Sequence, residues 1–201
     1  KEGKLIDMDR LKEDEADEIL TGLETIHRRA SGLSVFLDAY TNLYRTPEFK
    51  MEQTGVPSLL ERISGLFKEQ AEGQDTRLEI HCPDPSLKLE MDARMIEQVL
   101  INLVKNSLEA VRAQNTREIT LSAIRNKKEA RISIEDTGTG IPAEQMDSIF
   151  MPFFSTKESG TGIGLSFSQH IMRLHGGYIR ASSTQGKGSK FQLVFGSEKE
   201  I

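Results

Sequence analysis

The sequence predicts an α+β fold in which one sheet lies under a layer of helices. Short runs such as 119–123 and 132–134 alternate apolar and polar residues, which is typical of strands, whereas 93–113 shows the apolar spacing of a helix. These runs mix without strict β-α-β alternation, and this argues against a doubly wound parallel sheet. At 201 residues, the chain is long enough to bury a substantial core.

Composition narrows the class of protein. The chain is 37% hydrophobic and 28% charged with a net charge of -5, so it lacks the basic excess of a nucleic-acid-binding protein. Its single cysteine, Cys82, excludes a disulfide framework and favours a reducing, cytoplasmic location. No apolar run approaches the roughly 20 residues of a membrane span. The first residue is Lys rather than Met, which indicates a fragment, so any membrane anchor is expected outside it.

A long helix is predicted for residues 13–45. Its apolar or small residues recur at alternating steps of four and three, as in a coiled coil or a helix bundle. These residues are Ile19, Leu23, Ile26, Ala30, Leu33, Leu37, Tyr40 and Tyr44. Pro47 ends the helix, and the commonest reading of such a pattern is a packing element without chemistry. The predicted organisation is therefore a helix over 1–47, a loop-like linker over 48–56 and a second domain over 57–201.

The second domain is predicted to hold four helices and at least six strands in a mixed order. A capping box at Ser58 and Glu61 opens the first helix, and Asp92 caps the helix at 93–113. The remaining elements are strands near 78–80 and 87–91, a hairpin turning near Asn126, helices at 143–149 and up to about 175, and a closing hairpin in which Ile179 and Ala181 face Phe191, Leu193 and Phe195.

One face of the helix at 93–113 is polar. Gln98, Asn102, Asn106 and Glu109 follow at steps of four, four and three, so they share that face. A solvated surface is the commoner explanation of such a stripe. Asparagine is a mediocre helix former, however, and its amide oxygen suits a Mg²⁺ that keeps most of its waters and takes its other ligands from phosphates.

Asp136 stands at the end of a predicted strand. Strand parity places it on the face of Ile132 and Ile134, so its carboxylate is expected to be buried. A buried carboxylate needs a hydrogen-bond donor. An exocyclic amine of a ligand and the backbone amides of the turn at Gly138 both fit, and the residues alone leave the two open.

Three glycines, Gly160, Gly162 and Gly164, precede an apolar helical run and predict an anion site at a helix start. Better-known motifs do not match. Asp136-Thr137-Gly138 resembles the aspartic-protease tripeptide, but that chemistry needs two carboxylates sharing a proton. The glycine spacing is not that of a dinucleotide-binding loop, and the sequence holds neither a phosphate-binding P-loop nor the protein-kinase signature set.

Four blocks in the same order resemble the N, G1, F and G2 boxes of bacterial sensor histidine kinases. They are 98–110 (QVLINLVKNSLEA), 136–141 (DTGTGI), 150–157 (FMPFFSTK) and 160–165 (GTGIGL). A fifth block, 186–191 (GKGSKF), resembles the terminal G-x-G-[ST]-x-F of that family. The resemblance covers about 57–196. It implies the Bergerat-type two-layer α/β sandwich that binds ATP in gyrase, Hsp90 and MutL.

The resemblance also implies a role for each matching position, with ATP and Mg²⁺ as the cofactors. Asn106 would hold the Mg²⁺, Asn102 would support it, and Asp136 would accept from the adenine amino group. The base would be surrounded by Gly138, Gly140, Ile141 and Ser189. The lid and the phosphate-binding helix start would consist of Phe153, Thr156, Lys157, Gly160, Thr161, Gly162, Gly164 and Leu165. His175 is read as structural. Gyrase-like ATPases carry a Glu where this chain has Asn102, which favours phosphoryl transfer over hydrolysis.

The family's phosphoacceptor, a His followed by an acidic residue, is not matched. His27 is followed by Arg28, and Asn42 stands where the acceptor box would place its His. Residues 1–47 instead resemble the second helix of the dimerisation hairpin in nitrogen-regulation-type sensors, so the acceptor helix would precede Lys1. The implied function is transfer of the ATP γ-phosphate to a histidine outside the chain, for relay to an Asp of a response regulator, in a homodimer. The alternatives are a nucleotide-binding regulatory module without transfer, a gyrase-like ATPase, or an anti-sigma serine kinase.

Overall fold

The computed structural model describes residues 17–27, 49–126, 129–157 and 160–196. These residues form two compact units. The first unit contains residues 17–27, 155–157, 160 and 161, and the second unit contains all the others. The first unit contains a helix over 17–27, in which the Thr25 hydroxyl donates to the carbonyl of Thr21 at 2.8 Å. The rest of the helix predicted for 13–45 lies outside the described residues. None of the helices described is both long and apolar enough to cross a bilayer.

A five-stranded sheet forms the base of the second unit. Its strands, in spatial order, are β2 (Arg77–His81), β4 (Glu118–Arg125), β5 (Ala130–Asp136), β7 (Gly188–Phe195) and β6 (Tyr178–Thr184). β2 runs parallel to β4, and every other neighbouring pair is antiparallel. The predicted hairpins are both present. In the closing one Ile179 pairs with Leu193 and Ala181 with Phe191, as predicted, whereas Phe195 lies opposite Ala130 of β5 and not opposite β6.

Three α-helices accompany the sheet: α1 (Val56–Gly73), α2 (Ala93–Val111) and α3 (Gly164–Leu174). Helix α2 packs against β5 and against α3, and its apolar stripe is buried together with Leu121, Ile132 and Ile134 of the sheet. Full burial of one such side chain stabilises the fold by about 1.5–3 kcal/mol. This packing fixes the polar stripe of α2 relative to the end of β5. The predicted α+β class, with helices layered on a mixed sheet, is confirmed.

The segment at the start of this unit differs from the prediction. Residues 48–56 are predicted to be a loop-like linker, but Glu52–Gly55 form β1, which pairs antiparallel with β3 (Lys88–Met91) in a separate two-stranded sheet. The prediction of a single sheet is therefore wrong. β1 reads E-Q-T-G, which has no apolar alternation, so its partner strand rather than its own sequence determines its conformation.

Helix α1 begins at Val56, two residues before the predicted capping box. Gly55 is the N-cap and makes no side-chain capping bond, while Pro57 occupies the first turn, where its missing N–H costs nothing. Val56 is buried and donates its backbone N–H to Leu87 at 2.9 Å. The Ser58 hydroxyl donates to the carbonyl of Gly55 at 3.0 Å. Since Ser58 lies inside the first turn, the capping-box prediction is wrong.

The helix predicted for 143–149 is also wrong. Only Ala143–Gln145 form a helical turn, of the 3₁₀ type, and hydrogen-bonded turns continue to Met151. Ile149 is the one residue of 143–149 that is buried and Met146 is partly buried, so an α-helix here would have little apolar surface to pack.

His175 connects three parts of the second unit. Its Nε2 accepts the backbone N–H of Asp92 at 3.0 Å, and its Nδ1 lies 2.8 Å from the carbonyl oxygen of Ile171, to which it must then donate. The ring also meets Phe49 edge-on, with centroids 5.0 Å apart. Asp92 itself caps α2, as predicted, by accepting from Arg94 and Met95. The geometry therefore requires a neutral imidazole, which agrees with the structural role predicted for His175.

We expect the stability of the protein to fall in mild acid because of His175. Burial lowers the pKa of this imidazole below its ordinary value of 6.5, and the contacts with Ile171 and Asp92 only partly offset the effect. A depressed pKa means that the contribution to stability is present above about 6.5 and is lost as the pH falls toward the folded-state pKa. Chemical denaturation between pH 7.5 and 5 should therefore show a smaller decline for His175→Gln than for wild type. His81→Gln, at an exposed position on β2, is the control; an equal decline in all three proteins would refute the assignment.

Candidate functional site

Asp136 is the last residue of β5 and is 5% exposed. It lies opposite Ile119 of β4 and Ser189 of β7, on the same face as Ile132 and Ile134. The buried position predicted from strand parity is therefore confirmed.

Three protein groups donate to this carboxylate. Oδ1 accepts the backbone N–H groups of Gly138 at 2.9 Å and Ser189 at 3.3 Å, and Oδ2 accepts the Ser107 hydroxyl at 3.0 Å. The turn amide was one of the two donors that the sequence left open, and it is present. A carboxylate has about four acceptor positions, so these bonds leave capacity for one further donor.

Burial and hydrogen bonding act on Asp136 in opposite directions. Burial raises the pKa of its carboxyl group above the ordinary value, and the neighbouring charge of Glu135 adds a small increase. The hydrogen bonds from Gly138, Ser107 and Ser189 lower the pKa and favour the ionised form. The ionised carboxylate in this site therefore depends on its donors.

Ser107 is a site residue that the sequence reasoning missed. It is 1% exposed and lies in the buried stripe of α2 that also contains Leu100, Leu103, Val104, Leu108 and Val111. A hydroxyl in such a stripe requires a partner, and this was the signal available in the sequence. It follows directly after Asn106, so α2 presents its metal-ligand candidate and the Asp136 partner in consecutive positions.

The glycine turn after β5 is held between α2 and the β6–β7 hairpin. A Cβ added to Gly138 would lie 2.6 Å from the Cβ of Ala110, so only glycine fits this approach to α2. The backbone N–H of Ile141 donates to the Ser183 hydroxyl at 2.8 Å, and Ser183 and Ser189 share a hydroxyl contact at 2.9 Å. The turn therefore brings Gly138, Gly140 and Ile141 together with Asp136 and Ser189. Ser183 is a second residue that the sequence reasoning missed.

The polar face of α2 meets the start of α3. Nδ2 of Asn102 donates to the Ser168 hydroxyl at 3.1 Å, and that hydroxyl donates to the carbonyl of Gly164 at 2.8 Å. The N-cap residue of α3, Ile163, makes no side-chain capping bond. Asn106 is half-buried one turn further along α2. Gly162 precedes this helix and accepts the backbone N–H of Phe153 at 2.9 Å, while Leu165 is half-buried in its first turn.

Four of the predicted lid residues, Thr156, Lys157, Gly160 and Thr161, belong to the other compact unit. Within it, the backbone N–H of Lys157 donates to the Ser155 hydroxyl at 3.1 Å, and that of Gly160 donates to the carbonyl of Lys157 at 3.2 Å. The second unit therefore brings together Asn102, Asn106, the residues around Asp136, and the Gly162–Leu165 helix start, with Phe153 bonded to Gly162.

The residues near α3 fit a hard cation that is held by few protein ligands. Among the described residues, no cluster of three or more His, Cys, Asp or Glu side chains could hold a metal ion. The neutral amide oxygens of Asn102 and Asn106 are hard ligands, and Mg²⁺ characteristically completes its shell with water and substrate phosphates. The donor set is therefore compatible with Mg²⁺ bound together with a phosphate ligand.

A cavity of about 370 Å³ lies elsewhere in this unit, where Arg125, Glu129 and Ala130 line it with Met51 and His175. Ala130 begins β5 and Asp136 ends it, so the cavity and the candidate site lie at opposite ends of that strand. Both nitrogens of His175 are already in hydrogen bonds. His175 therefore has no ring nitrogen left to offer a ligand in this cavity.

Gly164→Ala tests the contact between α2 and α3. A Cβ at this position would lie 2.2 Å from Oδ1 of Asn102, so the Asn102 side chain must move and give up its bond to Ser168. We expect a loss of about 1 kcal/mol in the free energy of unfolding, the typical net value of one hydrogen bond. The matched control is Gly65→Ala in α1, where nothing lies within 4 Å and the better helix former should stabilise by about 0.5–1 kcal/mol. Equal effects of the two changes in thermal unfolding would contradict the described contact.

Comparisons with known proteins agree with this architecture. Residues 91–199 match the family model described as histidine kinase-, DNA gyrase B-, and HSP90-like ATPase. The chain is 29% identical over 170 residues to the sensor histidine kinase ZraS of Escherichia coli (strain K12), an alignment covering 85% of this chain and 36% of ZraS. It is 41% identical over 174 residues to the signal transduction histidine-protein kinase AtoS of the same strain, covering 86% of this chain and 28% of AtoS.

A solved structure gives the same result for the fold. The catalytic domain of histidine kinase ThkA superposes with a TM-score of 0.67 at 30% identity, over 74% of this chain and 96% of that domain. The chain spans about a third of the length of the curated relatives it matches. The fold is therefore the Bergerat type, and the chain belongs to the histidine kinase-, DNA gyrase B- and HSP90-like ATPase family, on the sensor histidine kinase side of it.

Proposed function

We propose that this chain is the ATP-binding kinase part of a two-component sensor histidine kinase. It would transfer the γ-phosphate of ATP to a histidine outside this sequence, for relay to an Asp of a response regulator. The observation that carries the proposal is the combination of a buried, partly satisfied Asp136 with two half-buried asparagines on α2, beside the start of α3, whose N-cap residue makes no side-chain capping bond.

The base end of the site would be Asp136. Three of its acceptor positions are occupied by protein donors, and the 6-amino group of adenine would donate to the fourth. Gly138, Gly140 and Ile141 would shape the surface beside the base, since the turn they form has no room for larger residues at Gly138. Ser189 would lie near the base as well, because its backbone already donates to Asp136.

The phosphate end would be formed by α2 and α3. Asn106 would supply an oxygen ligand to Mg²⁺, and Asn102 would support it from the preceding turn. When bound, the metal neutralises charge on the phosphate oxygens. Gly162, Gly164 and Leu165 would present backbone N–H groups at the start of α3, where the helix dipole favours an anion.

Transfer rather than hydrolysis is supported by Asn102. A neutral amide cannot act as the general base that activates water, and the Nδ2 group of Asn102 is engaged with Ser168. Catalysis would then consist of positioning the γ-phosphate and stabilising its charge while the acceptor imidazole attacks.

Residues 1–47 would serve as the second helix of a dimerisation hairpin, 48–56 as the connection and 57–201 as the ATP-binding domain. The described part of that helix exposes Ile19, Leu23 and Ile26, which supports the idea of partner helices in a homodimer. We place this part of the protein in the cytoplasm, where ATP and a response regulator are available.

Calorimetry with Mg-ATP followed by transfer in trans tests the proposal. The chain should bind one Mg-ATP and, when mixed with the acceptor hairpin of the full-length protein, should label it with an acid-labile phosphate, as expected for phosphohistidine. Binding without transfer would favour a regulatory module. Steady hydrolysis without an acceptor would favour a gyrase-like ATPase, and an acid-stable label on serine would favour an anti-sigma type of kinase. Absence of nucleotide binding would refute the proposal.

A further inference from the structure

The hydroxyl of Ser107 connects the two ends of the site. It donates to Oδ2 of Asp136 at 3.0 Å from a position that is 1% exposed. Asn106, the proposed metal ligand, is the preceding residue of α2. One turn of helix therefore carries both a residue assigned to the phosphates and a residue that contacts the base-reading carboxylate.

The three donors to Asp136 are not equivalent. The two bonds to Oδ1 come from backbone amides of Gly138 and Ser189, which no side-chain substitution removes. Oδ2 has one protein donor among the described residues, and that donor is the Ser107 side chain. Since Oδ1 is saturated by its two amides, a ligand amine would have to use the second acceptor position of Oδ2.

We propose that Ser107 is a positioning residue for adenine recognition: its hydroxyl holds Oδ2 of Asp136 in the orientation in which the remaining lone pair accepts the 6-amino group of the base. This inference rests on the proposed function, because it assumes that Asp136 reads the base. Ser107 would act through Asp136 and would itself make no contact that distinguishes adenine from other purines.

A comparison of two nucleotides separates this role from simple packing. ATP carries the 6-amino group, whereas purine riboside triphosphate lacks it and is otherwise the same. Ser107→Ala should weaken ATP binding roughly tenfold, the cost of one charge-assisted hydrogen bond, and should weaken binding of the analogue less than about twofold. Ser107→Thr keeps the hydroxyl and should restore most of the difference between the two nucleotides.

The pH dependence provides a second readout. Ser107 is one of the groups that lower the pKa of Asp136 against the effect of burial, so its removal should raise that pKa further. ATP binding needs the ionised carboxylate and is lost as the pH falls through this pKa. The acid limb of the binding curve, which is the pH range where ATP affinity falls, should therefore move to higher pH in Ser107→Ala. The other neighbours leave this expectation unchanged: Glu135 raises the pKa in both proteins and is paired with Lys190 of β7 at 2.8 Å, while β4 places the apolar Ile119 opposite Asp136.

Ser133→Ala is the matched control. Ser133 is also buried, at 5% exposure, and accepts from Gln192 at 3.4 Å, but it lies on β5 three residues before Asp136 and on the other face of the sheet. It should change neither the nucleotide preference nor the pH profile. If Ser107→Ala fails to fold in thermal unfolding, Ser107→Cys replaces it, because a thiol of similar size is a weak donor.

The outcomes distinguish this inference from the function on which it rests. Failure of wild type to bind ATP would overturn both. If wild type prefers ATP over the analogue but Ser107→Ala weakens both equally, or neither, with an unshifted acid limb, then Ser107 is only a packing residue and the inference is wrong while the proposed function stands.

Discussion

Asp136→Asn should abolish most of the ATP affinity without unfolding the protein. The new side chain presents an NH₂ group where the carboxylate had Oδ2, so a donor would face the amino group of adenine. We expect a loss of roughly 100-fold in affinity, which corresponds to the upper range for a hydrogen bond involving a charged group. Equilibrium titration with Mg-ATP measures the loss directly.

The free energy of unfolding of Asp136→Asn should be equal to or larger than that of wild type. The raised pKa of Asp136 shows that folding disfavours its charge, and this cost is present above the ordinary pKa of a carboxyl group. Asn removes the charge and keeps an oxygen for the amides of Gly138 and Ser189. Glu135→Gln is the control, because this neighbouring carboxylate is exposed and paired with Lys190. Normal ATP binding by Asp136→Asn would show that the adenine assignment is wrong.

Asn106→Ala should remove the effect of Mg²⁺ on nucleotide binding and transfer. In wild type, ATP should bind more tightly with Mg²⁺ than with a chelator, because Asn106 would supply an oxygen ligand to a metal that neutralises phosphate charge. In the variant, the two affinities should become similar, and transfer to the acceptor hairpin should fall by roughly 10³-fold, as for loss of a group that stabilises transition-state charge.

The control for Asn106 is another residue of the same helix face. Gln98→Ala removes an amide of the same polar stripe, two turns earlier and exposed, and should leave both quantities unchanged. If Mg²⁺ changes the ATP affinity of Asn106→Ala as much as that of wild type, the metal does not bind at Asn106 and its assignment to α2 is wrong. Asn106→Asp gives a further comparison, since an added negative charge near the phosphates should weaken ATP binding even with a chelator present.

Much of the fold follows from local pattern. The apolar stripe of α2, the Asp92 cap and the β6–β7 hairpin depend on neighbouring residues, and the sequence predicts each of them. The misses concern elements that other parts of the chain determine. β1 is a strand because β3 pairs with it, and the 143–149 segment remains in turns because it has little apolar surface to bury.

In the candidate site too, the sequence predicts the features that depend on neighbouring residues and misses those that depend on distant ones. Strand parity predicts the burial of Asp136, since parity is a local property. Its donors from α2 and β7 come from residues 29 and 53 positions away, and no spacing rule connects them to β5. Ser107 and Ser168 show this most clearly, because each is a serine on a helix whose partner lies on another element. The signal available for Ser107 was its place in the apolar stripe of α2, and only tertiary structure identifies what the two serines contact.

We propose above all that Mg-ATP binds at the Asp136 end of β5. Amide chemical shifts recorded during titration with a non-hydrolysable Mg-ATP analogue test it most directly. We expect saturable, one-to-one changes concentrated at Gly138, Gly140, Ser189, Asn106 and the start of α3. Changes concentrated instead at the cavity lined by Met51, Arg125 and Glu129, or no changes at all, would contradict it.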